Sequence, residues 1–371
     1  MVGMTDRNSR KWRYLSIGAR WDRCTVPIYE ASARGGPVPL LKTLLTSQCK
    51  NDCKYCALRA QRAFPRSAWK PDKLAKVVLH LWQEGKIKGL FLSSSIFKDP
   101  DYTVEKELEV VRALRRTGYM GYVHLRVMPG TSRDLIKEAV NLADRVGVNV
   151  EAPNEAIFSE LCPDKGELEN TVIKRLEWMV QEARCVRGGR AGYGNARAGI
   201  DTQIIVGAVD DDDWQFLKIT ERLYRKLGLR RVYFSGFEPI RGTPLEKRKP
   251  CNLSREYRLY QSSFLIRDYG FRIDDFKKIV DEDGFLPNVD PKVAFARANP
   301  DLFPIDLNSA DRQELMLIPN VGPTLSDKIL RARNEMEINY LSDLEKVLGA
   351  RLARSVAAYV YLRDRKLSKF G

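Results

Sequence analysis

The stretch VPLLKTLLTSQCKNDCKYC, residues 38–56, decides the fold. Its first half, Val38 to Thr46, is a short apolar run that reads as a buried strand. Its second half delivers Cys49, Cys53 and Cys56 on the loop that follows. Three soft sulfur donors at C-x3-C-x2-C spacing suit an iron-sulfur cluster or zinc, and either wants a fourth ligand. The remaining position is open to another molecule on an iron, or to a side chain such as Cys24 that closes a structural zinc site.

Outward from this stretch, apolar strand-like runs alternate with amphipathic helical ones. The helix Pro71 to Glu84 begins at a favourable N-terminal proline and places Leu74, Val77, Val78 and Leu81 on one face. A strand at Gly89 to Leu92, a helix at Val104 to Arg116, a strand at Tyr122 to Val127 and a helix at Ser132 to Leu142 follow. A strand at Arg145 to Val150, a helix at Leu168 to Arg184, a strand at Thr202 to Val206, a helix at Asp213 to Leu227 and a strand at Arg231 to Phe234 complete the series. Six strand-helix units imply a parallel sheet curled into a barrel or partial barrel. Ligands of such folds sit at the C-terminal ends of the strands, where the cysteine loop lies.

At 371 residues the chain is expected to hold a large domain and a small one. A basic segment at 1–37, a barrel at 38–237, a proline-rich connecting region at 238–304 packed on the barrel and a helical domain at 305–371 are the expected divisions. Seven cysteines, three clustered and four scattered, favour a reduced compartment with a metal site over a disulfide framework. The N-terminus lacks the apolar core of a signal peptide and no segment has the roughly eighteen apolar residues of a membrane span, so a cytoplasmic location without membrane contact is expected. The net charge of +15 is concentrated early, with fourteen Lys or Arg against four Asp or Glu in residues 1–70. That excess suits a polyanionic partner or a solvated basic surface.

With Tyr55 preceding the third cysteine, the loop resembles that of the radical S-adenosylmethionine enzymes. The resemblance implies a [4Fe-4S] cluster on Cys49, Cys53 and Cys56, with S-adenosylmethionine chelating the fourth iron. An external electron donor would then drive release of a 5′-deoxyadenosyl radical. It implies an α/β fold, a partial (β/α)6 TIM-like barrel of radical SAM type, here joined to a small all-α helix-hairpin-helix domain. It also implies a cofactor pocket that includes Tyr55, Ser93, Ser94, Ser95, Arg126, Asn149, Glu151, Gln203 and Gly207. Serines replace the Gly-Gly-Glu segment of many members, and they equally suit a turn that caps the next helix. Arg126 could meet the cofactor's carboxylate, and Asn149 and Glu151 its ribose, or Arg126 and Glu151 could pair with each other.

Near the C-terminus, Leu315 to Arg331 resembles the helix-hairpin-helix family, with Asn320 in place of the first turn glycine and Ser326 in place of the usual alanine. Asparagine tolerates the left-handed conformation such a turn requires. A degenerate second copy follows at Tyr340 to Leu362. The hairpin presents backbone N–H groups to a phosphate, which implies nucleic-acid contacts at Asn320, Gly322, Thr324, Lys328 and Arg331. Paired hairpins also serve as protein-protein modules, and residues 305–371 hold eleven basic against nine acidic side chains. An arginine- and glycine-rich loop, Arg184 to Gly199, reads as a basic lid or a surface insertion.

Taken together, the chain resembles the radical S-adenosylmethionine proteins named for DNA modification or repair. The segments Phe91 to Tyr102, Val123 to Gly130, Ala198 to Asp213 and Asn288 to Ala310 add to that resemblance. It implies DNA as partner ahead of RNA, while a nucleic-acid-binding protein with a structural or redox-sensing cluster is the non-enzymatic alternative. No spacing names a catalytic side chain or the atom attacked.

Overall fold

The computed structural model describes residues 28–33, 36–185 and 193–364. They fall into two compact units, one running to Asp211 and resuming at Arg222–Asn252, the other formed by Asp212–Glu221 and the chain from Leu253 onward. The segment 238–304 is thus divided between the units.

The first unit is built on a seven-stranded sheet in sequential order. The strands are β1 (Ile28–Ala33), β2 (Gly36–Leu44), β3 (Gly89–Ser93), β4 (Tyr122–Arg126), β5 (Arg145–Gly147), β6 (Ile200–Val206) and β7 (Arg231–Gly236). From β2 to β7 every neighbouring pair is parallel. Sequential parallel order with right-handed crossovers winds the sheet in one sense and leaves the helices on one face, the pattern of a curled half-barrel. β1 is an unforeseen addition, antiparallel to β2 in the register Ile28 to Leu41. It lies in the segment expected to be merely basic, whose residues up to 27 lie outside those described.

Helix α1 (Pro71–Gln83) buries Leu74, Ala75 and Val78. Helix α2 (Pro100–Arg116) is capped by Asp99, which accepts the Tyr102 N–H at 2.7 Å, and buries Val104, Leu108, Val111 and Leu114 at helical spacing. Helix α3 (Arg133–Leu142) buries Ile136, Ala139 and Val140. The outward residues of the strands, among them Leu90, Leu92, Val123, Leu125, Ile204 and Val206, are fully buried as well. Each large side chain withdrawn from water there contributes about 2 kcal/mol.

A short helix α4 (Glu155–Leu161), absent from the sequence reading, follows β5 and is capped by Asn154. Helix α5 (Lys174–Cys185) continues a π-helical turn at Glu169–Ile173, so the helix expected from Leu168 is present with a wide first turn. β5 is shorter than the run expected to Val150 because a side chain enters the ladder. The Thr202 hydroxyl donates to the Val148 carbonyl at 2.7 Å and accepts the Val150 N–H at 2.9 Å.

In the second unit, α6 (Asp213–Glu221) and α7 (Leu253–Asp268) precede α8 (Ile273–Phe276) and α9 (Pro291–Ala298). Two helix-turn-helix hairpins complete it: α10 (Arg312–Leu317) with α11 (Pro323–Arg333), and α12 (Leu341–Leu348) with α13 (Ala350–Val356). Asp311 caps α10, and the Glu314 carboxylate accepts the Asp311 N–H at 2.7 Å. Asn320 adopts φ +67 in the first turn, and Gly349 takes φ +83 in the second. No described helix is long and apolar enough to cross a membrane.

Candidate active site

The cysteine loop leaves β2 and is fastened to its neighbours by main-chain bonds. Leu45 N–H reaches Ser93 O at 2.8 Å, Ser95 N–H reaches Thr46 O at 3.1 Å, and Lys50 N–H reaches Ile96 O at 2.8 Å. The serine segment after β3 therefore forms one wall of the loop, and it does not cap α2, since Asp99 does. On the other side Arg66 gathers the loop's carbonyls, donating to Ser47 and Leu58 at 2.7 Å and to Arg59 at 2.6 Å. Nothing in the motif singles out Arg66. Its role follows from a guanidinium with five donors facing carbonyls that no strand satisfies.

A second wall comes from the segment after α4. Lys54 N–H bonds to Leu161 O at 2.9 Å, and Asp52 N–H to the Asp164 carboxylate at 2.6 Å. This docking seats the fully buried Cys162 beside Cys53, with which it shares a hydrogen bond. The bond lowers the Cys53 thiol to about 7, whereas burial and then Cys53 raise Cys56 to about 12. Cys53 is buried, and Cys49 and Cys56 are partly accessible. Desolvation also lifts the Tyr55 phenol, which stands near Glu151, Cys162 and Cys53.

Cys49, Cys53 and Cys56 act on one another electrostatically from one loop at the C-terminal edge of the sheet, and three soft sulfurs so grouped fit a cluster. Among the described residues no three potential ligands are already drawn to metal-binding geometry. Cys24, the candidate closing ligand for zinc, lies outside the described residues, as do Arg187 and Arg190 of the basic loop. The described part of that loop docks on the protein: Arg197 pairs with Asp144 at 2.6 Å, and the Arg115 guanidinium stacks on Tyr193 at 4.1 Å.

Glu151 stands six residues beyond the start of β5 with φ +66, a left-handed conformation that costs a non-glycine residue about 1 kcal/mol. Its main chain bridges β6, with Glu151 N–H to Gln203 O at 3.0 Å and Ile205 N–H to Glu151 O at 2.9 Å. Its buried carboxylate accepts from Lys165 Nζ at 2.7 Å. The pairing of Glu151 with Arg126 suggested by the sequence does not occur, because the segment after α4 brings a closer cation. Arg126 instead lies 2.9 Å from Asp201, and His124 Nε2 lies 3.0 Å from the other Asp201 oxygen. Burial opposes the Asp201 charge, but Arg126 and His124 outweigh it and hold the carboxyl at about 2. Burial also keeps His124 below its ordinary value, against the pull of Asp201.

These contacts bend away from good hydrogen-bond angles. His124 Nε2, Arg126 Nη1 and both Asp201 oxygens have no aligned hydrogen bond among the described residues, nor has Asn149 Oδ1. Gly147 makes the arrangement possible, since a Cβ there would stand 2.0 Å from Asp201 Oδ1. At the end of β6, Gly207 takes φ +79 and donates its N–H to Asp211 at 2.9 Å. Gln203 sits on the inward face of β6 beside Tyr233. Cys162, Lys165, Asp201 and Arg66 were not legible as site residues, Asp201 because the strand was read from Thr202 whereas β6 begins at Ile200.

In the second unit, Asn320, Thr324, Lys328 and Arg331 are exposed and Gly322 is half-buried. Thr324, Lys328 and Arg331 recur at helical spacing and share one solvent face of α11. The turn is held from beneath: Lys292 Nζ donates to Val321 O at 2.7 Å, and Tyr269 closes over Gly322.

The family model described as the Radical SAM superfamily matches residues 43–184. No curated protein matches the chain by sequence. Among solved structures, the FeFe-hydrogenase maturase HydG from Carboxydothermus hydrogenoformans is similar with TM-score 0.49 and 13% identity, over 62% of this chain and 51% of that one. Methylornithine synthase (PylB) gives TM-score 0.47 and 17% identity over 62% of each chain. A further structure of HydG, a maturase of the [FeFe]-hydrogenase, gives 0.48 and 11% over 85% and 80%. The chain thus spans about half the length of the first of these. The cysteine loop and its serine wall fall within the matched residues 43–184, a stretch of the Radical SAM superfamily, whose domain is an enzyme domain with a [4Fe-4S] cluster and S-adenosylmethionine as its cofactors.

Proposed function

We propose that this enzyme generates a substrate radical on a nucleic acid, with DNA favoured over RNA. When bound, the cluster and S-adenosylmethionine supply a 5′-deoxyadenosyl radical from one externally delivered electron. Cys49, Cys53 and Cys56 would hold the cluster, leaving one iron to the cofactor. Tyr55, Ser93, Ser94, Ser95, Asn149, Glu151, Gln203 and Gly207 surround the strand ends at which the cofactor would lie, and the orphaned Asn149 oxygen suits a ribose hydroxyl. Arg126 belongs to this set only through its reach toward that edge, since Asp201 already holds one nitrogen.

The observation that carries the nucleic-acid reading is the exposed face of α11, where Thr324, Lys328 and Arg331 follow the left-handed turn at Asn320. A phosphate can be met there by a helix N-terminus and two cations at once. The uneven basic charge of the chain favours the same partner. An external donor such as a flavodoxin-type reductant or dithionite must supply the electron.

Anaerobic cluster reconstitution followed by a 5′-deoxyadenosine assay tests the chemistry, and salt titration of duplex and RNA binding tests the partner. The reading expects product from wild type and none from Cys53→Ala, with affinity falling as salt rises. Lys328→Gln with Arg331→Gln should weaken DNA binding about tenfold and reduce its salt slope by about two. An oxygen-stable zinc protein without product would refute the enzyme reading. Unchanged binding in the double variant would refute the hairpin contact.

A further inference from the structure

Cys162 lies outside the cluster triplet and yet stands at its edge, hydrogen-bonded to Cys53. It directly follows α4, with its N–H held by Phe158 O at 2.8 Å, and it precedes Pro163, which opens a short 3-10 turn. Two contacts set this segment against the cysteine loop. Lys54 N–H meets Leu161 O at 2.9 Å, and Asp52 N–H meets the Asp164 carboxylate at 2.6 Å, so the numbers fall on one side as they rise on the other. The two segments therefore run antiparallel, and Cys53 comes opposite Cys162 between the two contacts.

Opposed residues of antiparallel segments have Cα atoms about 4.5–5.5 Å apart, inside the range of about 4.4–6.8 Å that a disulfide spans. The hydrogen bond between the thiols already turns them toward each other. Cys53 is 5% exposed and Cys162 fully buried, so each thiol is shielded from solvent and meets the other first.

We propose that Cys53 and Cys162 form a reversible disulfide in the cluster-free protein, which masks one cluster ligand and guards it against irreversible oxidation until reduction opens the site to iron. Hydrogen peroxide is the oxidant. The Cys53 sulfur breaks the peroxide O–O bond and becomes a sulfenic acid, releasing one water; the Cys162 sulfur then displaces the hydroxyl from the Cys53 sulfur, and its own proton leaves with that hydroxyl as a second water. Two thiols thus give up two electrons and two protons, and the peroxide is reduced to two waters. A dithiol reverses the bond by exchange. Cluster assembly needs the same Cys53 sulfur, so disulfide and cluster exclude each other. The pairing requires only the cluster site and is independent of the nucleic acid proposed above.

Peptide mapping tests it directly. Lys50 and Lys54 separate the three loop cysteines into different tryptic peptides, and Cys162 falls in the peptide 146–165. Cluster-free protein treated with hydrogen peroxide, alkylated and digested without reductant should yield peptide 51–54 joined to peptide 146–165 with two hydrogens lost, and dithiothreitol should separate them. Iron uptake on reconstitution should fall about fivefold after peroxide and return with dithiothreitol in wild type. Untreated Cys162→Ser should load iron as wild type does. After peroxide it should stay low despite dithiothreitol, because the Cys53 sulfenic acid, lacking its partner, advances to the sulfinic acid, read from the mass of peptide 51–54. Thermal melting confirms that the variant is folded, and the wild-type peptide map stands without it. Absence of the linked peptide, a disulfide within the triplet in its place, full recovery of iron uptake by the treated variant, or poor loading of the untreated variant overturns the proposal.

Discussion

The two faces of the parallel sheet are made from alternate residues of the same strands and are chemically opposite. Outward, Leu90, Leu92, Val123, Leu125 and Ile204 are fully buried against helices. Inward, Lys42, Phe91, His124, Arg126, Arg145, Asp201 and Gln203 crowd the lumen with charge and aromatic surface. The difference teaches that stability and chemistry are divided by the pleat: the outer face supplies the burial that tolerates a costly inner one.

The largest effect should come where the inner face meets its cofactor. Cys53→Ala is expected to abolish cluster assembly, read as iron per chain and the cluster's visible absorbance, while circular dichroism stays that of wild type. Cys162→Ala should retain the cluster, because Cys162 touches Cys53 from outside the triplet; loss of iron in this variant would make it a ligand. On the outer face, Leu125→Ala should cost about 3 kcal/mol in urea unfolding. If it costs as little as a surface change, the division between the faces is wrong.

Gly147→Ala strikes between the faces. A methyl group there would press on Asp201 and Arg126, so a loss of about 2 kcal/mol is expected, larger than for alanine substitutions at exposed glycines such as Gly118. The smallest effect is one of pH. Burial and then Arg126 lower Lys42 to about 8 from 10.5. The unfolded chain therefore binds more protons between those values, and stability should rise with pH across that window, by about 1 kcal/mol after allowance for solvent contact. Comparison of wild type with Lys42→Met at pH 8 and 10 isolates this contribution; an identical pH dependence in the two proteins would show that Lys42 is not desolvated.

Much of the frame was readable from periodicity. The six parallel strands lie where apolar runs were found, because a buried strand must be apolar on its outer face. β1 escaped because its residues, Ile28-Tyr29-Glu30-Ala31-Ser32-Ala33, form a strand only by pairing back on β2. The end of β5 was misjudged because Thr202, more than fifty residues away, substitutes its hydroxyl for a main-chain partner. Within the site, the cysteines and the serine wall were legible, while the partner of every buried charge was not: Arg126 meets Asp201, and Glu151 meets Lys165.

The amino-acid sequence by itself determined the cluster triplet, the strand-helix alternation and the left-handed turn at Asn320, all of which depend on spacings of a few residues that local geometry enforces. Tertiary structure alone decided that Cys162 stands against Cys53, that Arg66 ties down the loop, and that three strands bring Lys42, His124, Arg126 and Asp201 to one face of the sheet. Those meetings depend on register, and a slip of one residue in any strand would turn its charged side chain out of the lumen and into the apolar layer.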